Sequence, residues 1–345
     1  MEETTMMRQL KDLFQLSDRF YVPTEDILLI DINISGVNMD VDMDRVRMYV
    51  RLLFGQDFPF FCAIPIRKNT KYRIKNGFLY FDRQVMARVE NIEEEQNDLY
   101  DVKENGAVLT LPDYLFRAEH LDPTSNIVDM GILQWIRKNF EAWMDHYEQN
   151  DLGSLQKIII KQKNWPNENS LVQYILQVYA RAQKLNFCGE LMYLGNQLRS
   201  EEAMKKLERI ENFSYCFQLD YFHGKSSNLG IGKKRLSLSQ SKEIMNLAMQ
   251  QDWMVNYTYL VGIDDLENLK MGMRSLLTVT NRFPIINIWQ GNDPIMKGKE
   301  IPNLEFFLEA RTAIEAIYEK SALKPQILDS NQPLWYTRFG EDILW

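Results

Sequence analysis

The chain is poor in cysteine, and the three it has, Cys62, Cys188 and Cys216, stand far apart in 345 residues. No CxxC pair exists, which excludes a zinc ribbon and a redox dithiol motif. Scattered thiols suit reduced, buried cysteines of a cytoplasmic protein. Cys188 in LNFCGEL and Cys216 in FSYCFQL lie in apolar runs and are expected to be buried, a single reactive thiol being the alternative. Histidine is equally scarce, at three residues, none in a nucleophile motif, so no Ser-His-Asp or Cys-His arrangement can be read. No apolar run reaches the roughly 18 residues that a membrane-spanning helix needs. The opening MEETTMMRQLKDLF lacks a basic stretch followed by an apolar one, so no signal peptide is expected. Neither a GxGxxG after a first strand nor a P-loop is present, which removes the usual evidence for a nucleotide-binding sheet. Positive charge is also in deficit: 40 Lys and Arg against 48 Asp and Glu give a net −8. A global attraction to nucleic acid or anionic membrane is not expected; a local basic patch is left open.

What is present is ample for one large domain and a smaller one: 45% hydrophobic and 26% charged residues. A lead-in helix, MMRQLKDLFQLSDRF, is expected to stop near Pro23. Strand signals then fill residues 27–100. DILLIDINISG alternates apolar and polar residues, Phe60 to Ile66 is apolar and ends in a basic turn, and Asn76-Gly77 between KYRIK and FLYF signals a tight hairpin. NIEEEQND at 91–98 reads as a solvated linker. From Gly106 the rhythm becomes strand–helix. The strands are GAVLTLPDYLF, SLQKIIIKQ, NFCGELMYL, SYCFQLDYF, WMVNYTYLVGI and FPIINIWQG. Amphipathic segments lie between them, among them ILQWIRKNFEAWMDHYEQ, SLVQYILQVYARAQKL, SEEAMKKLERI, SLSQSKEIMNLAMQQ and LENLKMGMRSLLTVT, with a late helix in NLEFFLEARTAIEAIYEKSA. Repeated units of this kind predict parallel strands with helices outside, as a partial (β/α) barrel or a doubly wound sheet. The division is an N-terminal helix and β-rich subdomain over 1–100 and a barrel with an aromatic tail over 101–345.

The order of several short motifs resembles a known family. NYTYLVGIDDLENLKMGMRSLLTVTNRFPIINIWQG is similar to the fifth and sixth βα units of biotin-synthase-like radical-SAM barrels, with Val261-Gly262, Asp264-Asp265 and Phe283-Pro284 in the places of that pattern. PFFCAIPIRKNTKYRIKNGFLYFDRQVMARVE resembles the β-rich N-terminal region of a subgroup found near nitrilase-type genes. There a tyrosine-containing linker, here NDLYDVKENG, leads into the first barrel strand. SYCFQLDYF resembles the fourth strand, with Asp220 at its acidic end. The likeness covers roughly residues 30–340 and implies a radical-SAM-type partial (β/α) barrel, TIM-like, with an N-terminal β-rich addition. The family's cluster loop carries three cysteines, spaced three and then two residues apart. The corresponding LFRAEHLDPTSNIVDMG (115–131) contains none. Asp, Glu or His do not replace three soft thiolates at that spacing with similar affinity. KIIIKQKNW also lacks the small residues that let the cofactor's methionine end approach. The resemblance therefore implies the barrel without radical chemistry: no iron–sulfur cluster, and no S-adenosylmethionine, is expected.

Barrel enzymes place chemistry at the C-terminal ends of their strands. The strand ends here offer Asp113 and Tyr114; Lys161, Lys163 and Trp165; Tyr193 and Asn196; Asp220, Tyr221 and His223; Asp264 and Asp265; and Gln290, Asn292 and Asp293. They form either a polar pocket for a small anionic or amide ligand or the ordinary polar rim of a large barrel. Asp220 and His223 suit proton transfer near neutral pH, assisted by Lys161 and Lys163; otherwise Asp220 is a relic of an ancestral cofactor site and His223 a loop residue. Glu119, His120, Asp122 and Asp129 are spaced loosely enough for a divalent metal but read as a solvated loop, so no metal is expected. The tail SNQPLWYTRFGEDILW is aromatic: Trp335, Tyr336, Arg338, Phe339 and Trp345 either plug the barrel or form a partner surface.

Three functions follow as expectations. The first is a non-catalytic partner or scaffold of an active radical-SAM or related biosynthetic enzyme, such as a cysteine-complete homologue. The second is a cluster-free enzyme doing acid–base chemistry on a small metabolite at the barrel mouth. The third is a small-molecule sensor or carrier. A cytoplasmic location is expected, with no nucleic-acid or membrane partner.

Overall fold

The computed structural model describes residues 10–39, 47–54, 58–93, 127–129, 157–161, 165–223, 236–291, 299–325, 334–335, 338–339 and 342–343. Helix α1 (Leu10–Phe20) ends before Tyr21, whose φ is 55°. The chain then re-enters a helix, α2 (Thr24–Ser35), with Pro23 at its N-cap. The strand expected over DILLIDINISG is thus a helix. Every residue from Asp26 to Ile34 is buried, so the period-two alternation had no solvent side to report. A helix buried all round carries apolar residues on every face. Its polar residues are each met inside the protein. Asp26 pairs with Arg311 at 2.5 Å, Asp31 accepts from the Tyr72 hydroxyl at 2.7 Å, and Asn33 accepts from Gln290 at 2.7 Å.

The N-terminal sheet has six strands: β1 (Asn38–Met39), β2 (Arg47–Phe54), β3 (Phe58–Pro65), β4 (Tyr72–Lys75), β5 (Phe78–Phe81) and β6 (Gln84–Glu93), in the order β1-β4-β5-β6-β2-β3. The β4–β5 hairpin turns at Asn76-Gly77 as expected, both residues having positive φ (51° and 74°), as a type I′ turn demands. β6 runs on to Glu93, so the first part of the expected linker is strand. The remainder of that linker, and the boundary placed near residue 100, lie outside the described residues.

The second sheet is parallel throughout. β7 (Ile127–Asp129), β8 (Lys157–Lys161), β9 (Glu190–Gly195), β10 (Phe213–Asp220), β11 (Met254–Val261) and β12 (Ile285–Ile288) lie in strict chain order. α3 (Glu168–Lys184), α4 (Glu201–Lys205), α5 (Leu238–Met249) and α6 (Leu266–Leu276) connect β8 through β12, and α7 (Leu304–Tyr318) follows β12. With no reversal in strand order, right-handed crossovers put every helix on one face. A doubly wound sheet, by contrast, reverses its order and covers both faces. The helix-side face carries Ile158, Ile160, Tyr193, Tyr215, Tyr257, Tyr259 and Ile288 in the main core. The opposite face carries a separate cluster of Ile159, Met192, Cys216 and Ile285.

Three units repeat one local device. The turns entering β9, β10 and β11 hold Asn186, Asn212 and Asp252 at φ 63°, 54° and 58°, short polar residues that tolerate the left-handed region where a helix stops. The signature Val261-Gly262 has a similar basis: Gly262 has φ 109°, and a Cβ there would lie 3.0 Å from the Phe307 ring. Three expectations shift. SEEAMKKLERI is helical only over Glu201–Lys205. A strand, β7, lies within the stretch read as the cluster loop. Cys188 is exposed, because it sits in the turn between α3 and β9, while its apolar neighbours Phe187 and Leu191 are buried. The strand GAVLTLPDYLF and the helix ILQWIRKNFEAWMDHYEQ lie outside the described residues. No helix among the described residues is long and apolar enough to cross a membrane.

Candidate functional site

The polar residues of the non-helix face gather at two levels. At the C-terminal edge, β10 ends in a bulge between Gln218 and Asp220. Asp220 has φ 64°, a region that L-residues occupy at some cost in energy. Its carboxylate accepts from Thr258 Oγ1 at 3.0 Å and from Gln218 Nε2 at 3.1 Å. The bulge turns Asp220 toward Thr258 on the neighbouring strand. Thr258 is buried.

Asp264 anchors the segment that follows β10. It accepts from the backbone N–H of Phe222 (2.6 Å) and of His223 (2.9 Å) and from the Tyr259 hydroxyl (3.0 Å). Burial, together with the Asp264 charge, pushes the Tyr259 phenol well up, so it is a donor throughout the working pH range. The His223 imidazole is exposed and its backbone is what Asp264 holds. Asp265 caps α6 by accepting from Asn268 N at 2.8 Å. The acidic pair of the sequence pattern thus has two structural tasks, one tethering a loop and one starting a helix.

Other expected site residues are dispersed. Tyr193 is fully buried on the helix side, stacked on Tyr215 at 5.4 Å, away from the face that carries Asp220. Trp165 is buried against Tyr174 at 5.0 Å and clamped through its backbone by Gln197. Asn196 is half-buried, its carbonyl taken by Arg199 at 2.6 Å. Tyr221 packs with Ile263 and Trp289. Gln290 joins the two sheets. Its amide donates to Asn33 and to the Ala63 carbonyl, both at 2.7 Å, and its own carbonyl accepts from Arg67 at 2.5 Å. Lys161 ends β8 opposite Leu194. Asp129 ends β7. Asp113, Tyr114, Glu119, His120, Asp122, Lys163, Asn292, Asp293, Tyr336 and Trp345 lie outside the described residues. In the tail, Trp335 is 2% exposed, edge-on to Phe283 at 5.5 Å, and bonded to Glu315 of α7 at 2.7 Å, within the main core. Arg338 and Phe339 form β13, paired antiparallel with β14 (Asp342–Ile343).

The second polar level was not foreseen. At the N-terminal edge, Glu190 of β9 accepts from Ser214 of β10 and Arg282 before β12, and pairs with Lys157 of β8 at 3.4 Å. Arg282 lies in the turn before β12, where its neighbour Asn281 bonds the start of β11 through Val255 and the Trp253 carbonyl. From there its guanidinium reaches past β10 to Glu190, and the contact spans the N-terminal edge of the sheet. Burial alone would raise the Glu190 pKa. Lys157, Arg282 and the Ser214 hydrogen bond outweigh it and hold the carboxyl below its usual range. Beneath this charged floor opens a cleft of about 550 Å³, lined by Glu190, Arg282, Ser214, Cys188, Trp253 and Asp252 among others. Only the polar first residue of β9 in GELMYL hinted at this floor, since Arg282 is 92 positions away.

With the geometry in place, the comparisons with known proteins add little. No protein-family model matches the chain, and no curated protein matches it. Among solved structures the chain is similar to SuiB of Streptococcus suis bound to S-adenosylmethionine, at 10% identity, over 55% of this chain and 44% of that one, with a TM-score of 0.39. It is also similar to TsrM of Kitasatospora setae, a radical S-adenosylmethionine methyltransferase with cobalamin and a 4Fe-4S cluster bound (10% identity, 45% and 29% coverage, TM-score 0.30). A third is orotidine 5′-monophosphate decarboxylase of Plasmodium berghei (10%, 70% and 76%, 0.34). The chain spans less than half the length of SuiB. At these scores strand order and face pattern, rather than the neighbours, define the architecture: a mixed α/β chain with a curled parallel sheet beside a β-rich N-terminal one.

Proposed function

We propose that the chain is a radical-SAM-like half-barrel without a cluster, serving as a non-catalytic partner or scaffold of an active radical-SAM or related biosynthetic enzyme. The supporting observation is where its only thiols stand. Cys62 is in β3 of the N-terminal sheet, Cys216 lies mid-strand in β10, and both are buried; Cys188 is on the N-terminal edge. Burial pushes the Cys62 thiol far up, away from the thiolate that ligates iron. Neither 115–131 nor the stretch that follows β7, residues 130–156, contains a cysteine. The resembled family's cluster is held by three thiolates of one loop, and iron–sulfur clusters in general take several converging thiolates. Co-expression with a cysteine-complete homologue from the same genome, followed by size-exclusion chromatography, tests the partner role. A stable complex that changes the homologue's turnover is expected; separate elution with unchanged turnover would remove the proposal.

A second reading, a cluster-free enzyme using Asp220, His223, Lys161 and Lys163, is favoured by one feature. The bulge that ends β10 sets the half-buried Asp220 at the C-terminal edge of the parallel sheet, where barrel enzymes place their chemistry. Thermal-shift screening of small carboxylates and amides tests it. A compound that stabilises the protein but not its Asp220→Asn variant supports catalysis or sensing at the mouth, and the absence of any such compound discards that reading.

A further inference from the structure

We infer that the β4–β5 turn is a site of spontaneous covalent modification, at which the folded chain converts Asn76 to aspartate and isoaspartate through a cyclic imide. The reaction needs an asparagine side chain that can swing onto the next backbone nitrogen, and a next residue with no side chain in the way. Asparagine followed by glycine meets both needs, and asparagine is among the thermolabile residues. Asn76 and Gly77 are both exposed. Among the described residues, no hydrogen bond holds the Asn76 side chain. A Cβ built on Gly77 would meet nothing nearer than the Val89 carbonyl oxygen, at 3.8 Å, so the approach is open. The ladder closes on the pair Lys75 and Phe78, which leaves the Gly77 nitrogen outside it.

Two other asparagines share this backbone but not this neighbour. Asn186 and Asn212 are exposed and have φ of 63° and 54°. Each precedes a buried phenylalanine, Phe187 and Phe213. The Phe187 N–H donates to the Ala182 carbonyl at 3.1 Å, and the Asn212 side-chain amide donates to the Cys188 carbonyl at 3.2 Å. A reacting group is thus tied down in each case. The structure separates Asn76 from residues of the same type in the same conformation. The chain's other Asn-Gly pair, Asn105-Gly106, lies outside the described residues.

The reaction is redox-neutral and draws only on solvent. The Gly77 nitrogen gives its proton to hydroxide and bonds to Cγ of Asn76. The Cγ–Nδ2 bond breaks, and the nitrogen leaves as ammonia with a proton from water. Water then opens the imide. Addition at Cγ gives aspartate; addition at the Asn76 main-chain carbonyl gives isoaspartate, whose backbone runs through Cγ and is one carbon longer. The products differ in consequence. Aspartate keeps the turn, because Asp-Gly suits a type I′ hairpin as Asn-Gly does. Isoaspartate lengthens a two-residue turn whose length fixes the register of β4 on β5. The Gly77 carbonyl also accepts from Val89 of β6 at 2.8 Å, and Leu79 and Phe81 of β5 are core. The longer backbone therefore loosens an interior strand pair. This inference stands independently of the partner role proposed above.

The test incubates the folded, full-length protein at mildly alkaline pH for several weeks. Peptide mapping by mass spectrometry locates the amide-to-acid change, and methyl transfer by an isoaspartyl methyltransferase counts the isoaspartate. Several-fold more conversion is expected at Asn76 than at Asn186 or Asn212, with a rate that rises with pH. The isoaspartyl fraction should melt lower than the aspartyl one and exchange faster at the Val89 amide. Gly77→Ala should suppress the conversion. Because φ is 74° there, Asn76→Asp serves if that variant does not fold; it should melt as wild type and form no imide-derived ammonia at this turn. Asn105 in the same digests shows that the conditions permit the reaction. An unchanged Asn76 beside a converted Asn105, conversion of Asn76 only after denaturation, or equal conversion at Asn186 and Asn212 would each overturn the inference.

Discussion

Glu190→Gln offers a direct test of the charged floor. In the native chain one carboxylate serves Ser214, Lys157 and Arg282, the last two only 7% and 8% exposed. The amide keeps the volume and a hydrogen-bond acceptor but removes the charge that Lys157 and Arg282 share. Breaking a buried pair by removing one partner costs about 3–5 kcal/mol. The Glu190 side chain is 22% exposed, which places the expected loss at the lower end, about 3 kcal/mol, or roughly 4 °C in melting temperature for a chain of this size. Urea denaturation measures it directly, with a double-mutant cycle to Arg282→Met isolating the pair. The pH dependence has a fixed sign. Because the folded carboxyl is held below its usual value, its contribution is complete above the unfolded pKa of about 4.3 and is lost as pH falls through the lowered folded value. The gap between wild type and Glu190→Gln should therefore be full at neutral pH and close in acid. A variant within about 0.5 kcal/mol of wild type at neutral pH, or a gap that widens in acid, would refute the pairing.

Other outcomes follow from single residues. Trp335→Ala should destabilise by about 3–5 kcal/mol, as for other buried tryptophans, and truncation after Gln332 should lower the melting temperature at least as much; unchanged melting would return the tail to the role of a partner surface. Gln290→Ala removes the donor that Asn33 and the Ala63 carbonyl share, at about 1–3 kcal/mol, and should raise amide hydrogen exchange in α2 and β3 before the parallel sheet; uniform exchange across both sheets would show that Gln290 is not the link between them. Asp252→Val should cost about 1–2 kcal/mol and Asp252→Gly close to nothing, since φ is 58° there; equal effects in urea melts would contradict the turn geometry.

Much of the fold was legible because it is local. Asn76-Gly77 announces its hairpin by itself, and β8 through β12 alternate with helices in plain view. What failed was information held elsewhere in the chain. α2 read as a strand because its polar residues were assumed to face water, whereas Asp26, Asp31 and Asn33 are met by Arg311, Tyr72 and Gln290 from distant segments. Gln290 looked like a rim ligand for the same reason: its partners lie 227 and 257 positions away. Tyr193 was placed at the mouth because strand ends are, but alternation puts it on the helix side. Cys188 sat in an apolar run whose turn carried it into solvent. At the mouth, Asp220 was visible as the acid ending a strand; its bulge and left-handed backbone were not, since they arise from pairing with β11.

The central claim is that this half-barrel lacks the ligands for an iron–sulfur cluster, and anaerobic reconstitution with iron and sulfide, followed by metal and sulfide analysis and absorbance, tests it most directly. The thiol positions predict no stoichiometric cluster and no change when Cys62, Cys188 and Cys216 are replaced together by serine or alanine. One 4Fe-4S cluster per chain, lost on that replacement, would contradict the account.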